Sequence, residues 1–163
     1  MTYIVGIDPT VTSSSAQFGV GSRGMNTTSA GAKEYIYVKD SGSGVTGDGY
    51  VVDIDGSAFT AVMSTTTTTA PGTGQGKSVG VARAAVTASY YYWAQIYGAG
   101  TVRVAASCAA YTNINSTATA GQLDDDATAS SEVIEGIALD VANGGAAGTV
   151  AAWINYPRVG RTL

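Results

Sequence analysis

The sequence predicts an all-β fold: a compact β-sandwich or barrel of about seven to nine short strands, led by an extended N-terminal arm. Three observations carry that prediction. Short apolar stretches alternate with polar residues at period two, as in EYIYVKD, GYVVDID and GTVRVAA. Turn residues (Gly, Asp, Asn and Ser) punctuate those stretches at close intervals. The Ala-rich stretch 81–88 could form a short helix, but Gly76 and Gly80 before it and the β-branched Val79, Val81 and Val86 in and beside it favour strand.

Residues 1–30 are rich in Ser, Thr and Gly, with little periodicity beyond TYIV and FGVG; they read as an arm holding a strand or two. Residues 31–163 read as a single β domain. Its first strand places Tyr35 and Tyr37 on one side, Ile36 and Val38 on the other, and ends in a Ser-Gly turn. In GYVVDIDG, Val52 and Ile54 alternate with Asp53 and Asp55, which read as a solvent face before an Asp-Gly turn. FTAVM follows. STTTTTAPGTGQGKS, residues 64–78, is low in complexity and reads as an exposed loop or hinge. SVGVARAAVTASYYYWAQIYG gives two strands broken near residues 87–89. AGTVRVAAS sends Val102 and Val104 one way, and VIEGIALDVA and TVAAWINYP close the chain around NGGAAG.

The totals narrow the function. A chain of 163 residues can bury a real core, removing roughly 70% of its unfolded surface from water. Only 12% of residues are charged, a surface that suits a large assembly or extensive contacts. Net charge is −4 and the eight Lys and Arg are scattered, so no nucleic-acid partner is expected. No apolar run is long enough for a membrane-spanning helix, and MTYIVGIDPT lacks the basic start of a signal peptide, so synthesis in a cytoplasm is expected and no membrane partner.

Catalytic motifs are scarce. The chain contains no histidine, the commonest general base and a common metal ligand. Cys108, the lone cysteine, sits in VAASCAAY and reads as a buried, inert thiol. PGTGQGKS fails the phosphate-loop pattern, because Pro71 stands where its first glycine belongs and polythreonine replaces the preceding buried strand. Asp124, Asp125 and Asp126 lack the alternating spacing of a calcium loop and read as a solvated turn. A serine nucleophile would need Lys33, Lys39 or Lys77, all in unsuitable contexts. No enzyme, metal or cofactor is expected.

The strongest feature is SYYYWAQIYG. One strand face carries Tyr90, Tyr92, Ala94 and Ile96; the other carries Tyr91, Trp93, Gln95 and Tyr97. One face belongs to a core. The other is either a second buried face or a protein interface, where Tyr and Trp are enriched. Trp93 is expected inside, with interface positions at Tyr3, Ile4, Phe18, Tyr90, Tyr91, Tyr92 and Tyr97.

Three stretches resemble the head-decoration, or capsid-cement, proteins of tailed bacteriophages: FGVGSRGMNTTSAGAKEYIYVKDSG, SVGVARAAVTASYYYWAQIYGAGTVRV and CAAYTNINSTATAGQLDDDATASSEVIEGIALD. Within the third, TATAGQLDD is the most distinctive. The resemblance covers most of residues 17–157. It implies a non-enzymatic β domain on the exterior of a virion capsid, oligomeric (a trimer), with the major capsid protein and itself as partners. Residues 65–69 and the first sixteen have no matching counterpart. Alternatives are a virion-displayed carbohydrate-binding or host-recognition module stacking sugars on Tyr and Trp, another head or tail structural protein, and, last, a glycan hydrolase built on the Asp cluster.

Overall fold

The computed structural model describes residues 3–162. Among the described residues the chain runs through β1 (Tyr3–Val5), β2 (Arg23–Thr28), β3 (Gly31–Asp40), β4 (Val51–Ile54), β5 (Thr60–Met63), the one-turn helix α1 (Thr66–Thr69), β6 (Ser78–Ala82), β7 (Tyr91–Val104), β8 (Asn115–Ser116), β9 (Leu123–Asp124), β10 (Glu132–Leu139) and β11 (Gly148–Thr162). The fold is all-β, as the alternation predicts. Eleven strands exceed the expected number because β8 and β9 span two residues each, too short to show any period.

The strands form two closed circuits that share β7. One runs β3, β5, β4, β6, β7 and back to β3. The other runs β7, β11, β10, β8, β9 and back to β7. The first half of β7 pairs with β3 through Tyr97, and from Tyr97 onward the strand pairs with β11. At the changeover Gly98 takes φ +97°, and a Cβ there would sit 2.6 Å from the Ala32 carbonyl oxygen; only glycine suits that position.

Each circuit holds its own core. Ile36, Val38, Val52, Ile54, Tyr92, Ala94 and Ile96 fill the first. Val102, Val104, Ile114, Leu123, Ile134, Leu139 and Ile154 fill the second, joined by Val51, Val79 and Val81. Strands β4 and β6 therefore wall one core from the other, and every residue of β4 is buried. This overturns the reading of Asp53 as solvent-facing. It is 2% exposed, and its carboxylate accepts hydrogen bonds from the hydroxyls of Ser64 (2.8 Å) and Thr68. Burial raises its pKa, while the Thr68, Ser64 and Lys77 interactions pull it back. A strand covered on both faces reads as a near-continuous apolar run, and VVDI hides a single hydrogen-bonded acid within one.

The threonine run also departs from expectation. Thr65 caps α1 reciprocally: its hydroxyl accepts from the Thr68 N–H (3.1 Å), and its own N–H donates to the Thr68 hydroxyl (2.8 Å). Thr69 is buried against the Ser116 hydroxyl at 2.9 Å and the Thr66 N–H donates to the Thr117 carbonyl, so the run packs along β8 instead of hanging free. In the stretch 81–88, strand β6 stops at Ala82 and only Val86 bridges onward, to Val45.

The N-terminal arm lies on the domain. Strand β2 forms a hairpin with β3 whose turn contains the 30/31 boundary, and β1 adds in parallel to β2. Residues between β1 and β2 cross the face of β3 and β7, held by a two-way backbone bridge between Ser13 and Tyr91 (3.0 and 2.8 Å). No helix among the described residues is long and apolar enough to cross a membrane.

Candidate binding surfaces

Register explains the first surface. In the β3–β7 pairing Tyr37 opposes Trp93 and Lys39 opposes Tyr91, which places the odd-numbered rings on the face turned away from the first core. Tyr37 lies 4.9 Å from Trp93, tilted, and 6.0 Å from Tyr91, nearly parallel. Phe18, from the crossing segment, closes on both Tyr37 and Trp93 at 5.3 Å. Gly24 of β2 makes room for the indole, since a Cβ would come within 2.9 Å of Trp93 Cζ3. The Tyr37 hydroxyl accepts from the Gln17 N–H (3.1 Å), so its polar end is satisfied.

The rings do not fill the space. A cavity of about 290 Å³ opens beside them, lined by Ile4, Ile7, Val11, Phe18, Tyr91 and Trp93, among others. Val5, 77% exposed, and the exposed Val11, Phe18 and Val20 extend apolar surface along the same segment. Asp8, at the edge, accepts from the N–H and hydroxyl of Thr10 (2.9 and 2.7 Å), which lowers its pKa.

A second aromatic group lies where β7 changes partner. Tyr97 meets Trp153 edge-on at 5.5 Å and stacks on Tyr156 at 5.3 Å. The Tyr156 hydroxyl donates to Glu34 Oε2 at 2.9 Å, and the Tyr3 hydroxyl reaches the same oxygen at 3.4 Å. Partial burial and the Glu34 hydrogen bond push the Tyr156 phenol up to about 12. Tyr156 holds φ +45°, a region non-glycine residues seldom occupy, and it precedes Pro157, which ordinarily favours extended backbone. Opposite it, the β10–β11 ladder slips register between Glu135 and Ile137. Gln95 supports the changeover: fully buried, its side-chain amide donates to the carbonyls of Tyr97, Gly98 and Ala99, each at 3.1 Å.

The third group is a thiol beside two acids. The ligand atoms of Cys108, Asp124 and Asp125 lie within 4.8 Å of one another. Burial first, then the nearby Asp125 charge, push the thiol up to about 12, which favours its protonated form. Asp124 ends β9 half-buried, with its pKa raised by burial, and the chain bends at Asp125 and Asp126, the latter exposed.

The residues singled out from sequence thus divide. Ile4, Phe18 and Tyr91 meet at the groove; Tyr3 and Tyr97 meet at the second cluster. Tyr92 is a correction: it is buried in the first core, and Tyr90 packs against that same core. Trp93 is inside, as expected, but under the arm rather than within either circuit. Sequence reasoning missed Glu34, Trp153 and Tyr156. The signal for Trp153 was present in TVAAWINYP, where Val150, Ala152 and Ile154 take the buried parity and leave Trp153 outward. No signal ties Glu34 to Tyr156, which are 122 residues apart. Compared with protein-family models, curated proteins and solved structures, the chain finds no match.

Proposed function

We propose that this chain is a non-enzymatic structural protein of a phage particle, a head-decoration protein that binds the capsid exterior and braces neighbouring subunits of the major capsid protein as a homo-oligomer, a trimer. The observation that carries the reading is the aromatic groove under residues 4–18, open to the surface and bordered by exposed Val5, Val11, Phe18 and Val20. Contiguous apolar surface of this kind marks interaction sites, and a cavity of about 290 Å³ accepts one or two apolar side chains from a partner. The low charge density and the resemblance of three segments to decoration proteins support the same reading. Repetition across a lattice then multiplies a modest contact into firm attachment.

Co-sedimentation of the purified protein with DNA-free heads tests it. The wild type is expected to saturate at a fixed copy number per capsid subunit, and Phe18→Ala combined with Val11→Asp to lose about tenfold in affinity. Failure of the wild type to bind heads, or undiminished binding by the double variant, overturns the proposal. Sedimentation equilibrium of the free and released protein checks the trimer.

A further inference from the structure

We propose a second binding site, separate from the groove, in which Trp153, Tyr156 and Tyr97 stack a neutral hexopyranose ring of a glycan while Glu34 and Arg23 hold its hydroxyls. Three observations on different strands converge on it. First, the rings are presented rather than buried: Trp153 is 42% and Tyr156 50% exposed, yet both are fixed by contact with Tyr97. Fixed rings offer a flat face whose negative quadrupole attracts the C–H face of a sugar, with little entropy left to lose.

Second, the polar groups at the rim are half used. Glu34 Oε2 accepts the two tyrosine hydroxyls, while Oε1 has no protein donor among the described residues. Arg23 makes no side-chain hydrogen bond or ion pair among those residues and borders a small pocket, about 70 Å³, shared with Ser78, Tyr156 and Pro157. Arg23 stands opposite Tyr3 in the β1–β2 register, and Tyr3 reaches Glu34 across β2. An acceptor and a donor flanking an aromatic face match a vicinal diol, whose hydroxyls both give and take hydrogen bonds. The opposed charges of Glu34 and Arg23 favour a neutral sugar over an acidic or basic one.

Third, the backbone is strained to hold the platform. Tyr156 keeps φ +45° before a proline, and Gly136 across the ladder has φ +84° with no room for a Cβ, which would meet the Asn155 carbonyl oxygen at 2.6 Å. Strain of that kind persists where surroundings over-determine it and gathers at ligand sites. The exposed ring surface, on the order of 200 Å² for two half-exposed aromatics, is small beside the roughly 800 Å² a stable protein contact buries per partner, but it matches one sugar ring.

The two tryptophans provide the readout, since only Trp153 is exposed. Fluorescence is titrated with trisaccharides of glucose, galactose and N-acetylglucosamine. At least one is expected to give a saturable change at about millimolar concentration, weakened about tenfold or more by Trp153→Ala and by Tyr156→Ala and partly retained in Trp153→Phe. Glu34→Gln, which keeps the shape, is expected to weaken binding while thermal unfolding stays near wild type. No saturable response to any of the three sugars overturns the site. So does a response that Trp153→Ala leaves intact, or loss of the oligomer in Trp153→Ala, which would make the platform a subunit contact. Head binding by Phe18 variants is a separate readout, so either site can fail alone.

Discussion

The chain has two tryptophans, and they have opposite fates. Trp93 on β7 and Trp153 on β11 both sit among tyrosines at ring separations near 5 Å, yet Trp93 is 3% exposed and Trp153 42%. Strand chemistry does not separate them, since both occupy alternating positions of long strands. The difference is what crosses above. Residues between β1 and β2 are pinned over Trp93 by the Ser13–Tyr91 bridge, and Gly24 leaves space for the indole. Trp153 instead meets the edge of Tyr97 and leaves 42% of its surface open. One cluster is thus a core with an opening, the other a platform.

The sharpest way to break this contrast is to delete each indole. Trp93→Ala removes a buried ring contacted by Tyr37 and Phe18, a loss expected at about 3–5 kcal/mol. Trp153→Ala removes a half-exposed ring and one edge contact, expected at about 1 kcal/mol or less. Urea unfolding of both variants measures the two values. Equal losses would mean that the arm does not seal Trp93 in solution.

An intermediate effect is expected from the supports of the platform. Gly136→Ala forces a Cβ against the β11 backbone at a positive φ, costing about 1–3 kcal/mol and shifting Tyr156. Gln95→Ala removes the two amide protons shared among three carbonyls near the Tyr97 changeover, again at a cost of about 1–3 kcal/mol. The two should separate in sugar titration: Gly136→Ala disturbs Tyr156, Gln95→Ala disturbs Tyr97. If both lower stability and neither changes ring exposure, measured by quenching of Trp153 with acrylamide, the platform is not held by these residues.

The same contrast shows what a sequence can express. Tyr35 with Tyr37, and Tyr91 with Trp93, share a face by local alternation, readable within a few residues of each strand; the β3–β7 register then joins the two pairs. The outward parity of Trp153 is readable in the same way. The burial of Asp53 is not readable, because it depends on β4 becoming a wall between two cores, and a lone acid in an apolar run looks the same exposed or walled in. The threonine helix is hidden for a similar reason: its capping box uses residues equally suited to strands, and its burial comes from Ser116, far along the chain. Tyr156 is harder still. Its position depends on a register slip and on Glu34, contacts that exist only once both circuits have closed.

The smallest effect concerns the hydroxyl that ties the platform to Glu34. The phenol of Tyr156 is raised from 10.0 to about 12 in the folded chain. A group whose folded pKa lies above its unfolded one holds its proton more tightly when folded. Its stabilising contribution is therefore complete below pH 10.0 and disappears as pH rises through about 12. Tyr156→Phe keeps the ring on Tyr97 but deletes the proton, so its stability should fall less steeply over that window than the wild type's. Because half the residue faces water, solvent screens the effect, and the difference in slope is expected to be small. Difference absorbance of the phenolate supplies a direct check: wild type should show one more late-titrating tyrosine than Tyr156→Phe. If the variant loses an ordinary early tyrosine instead, Glu34 does not hold that hydroxyl, and the platform rests on its rings alone.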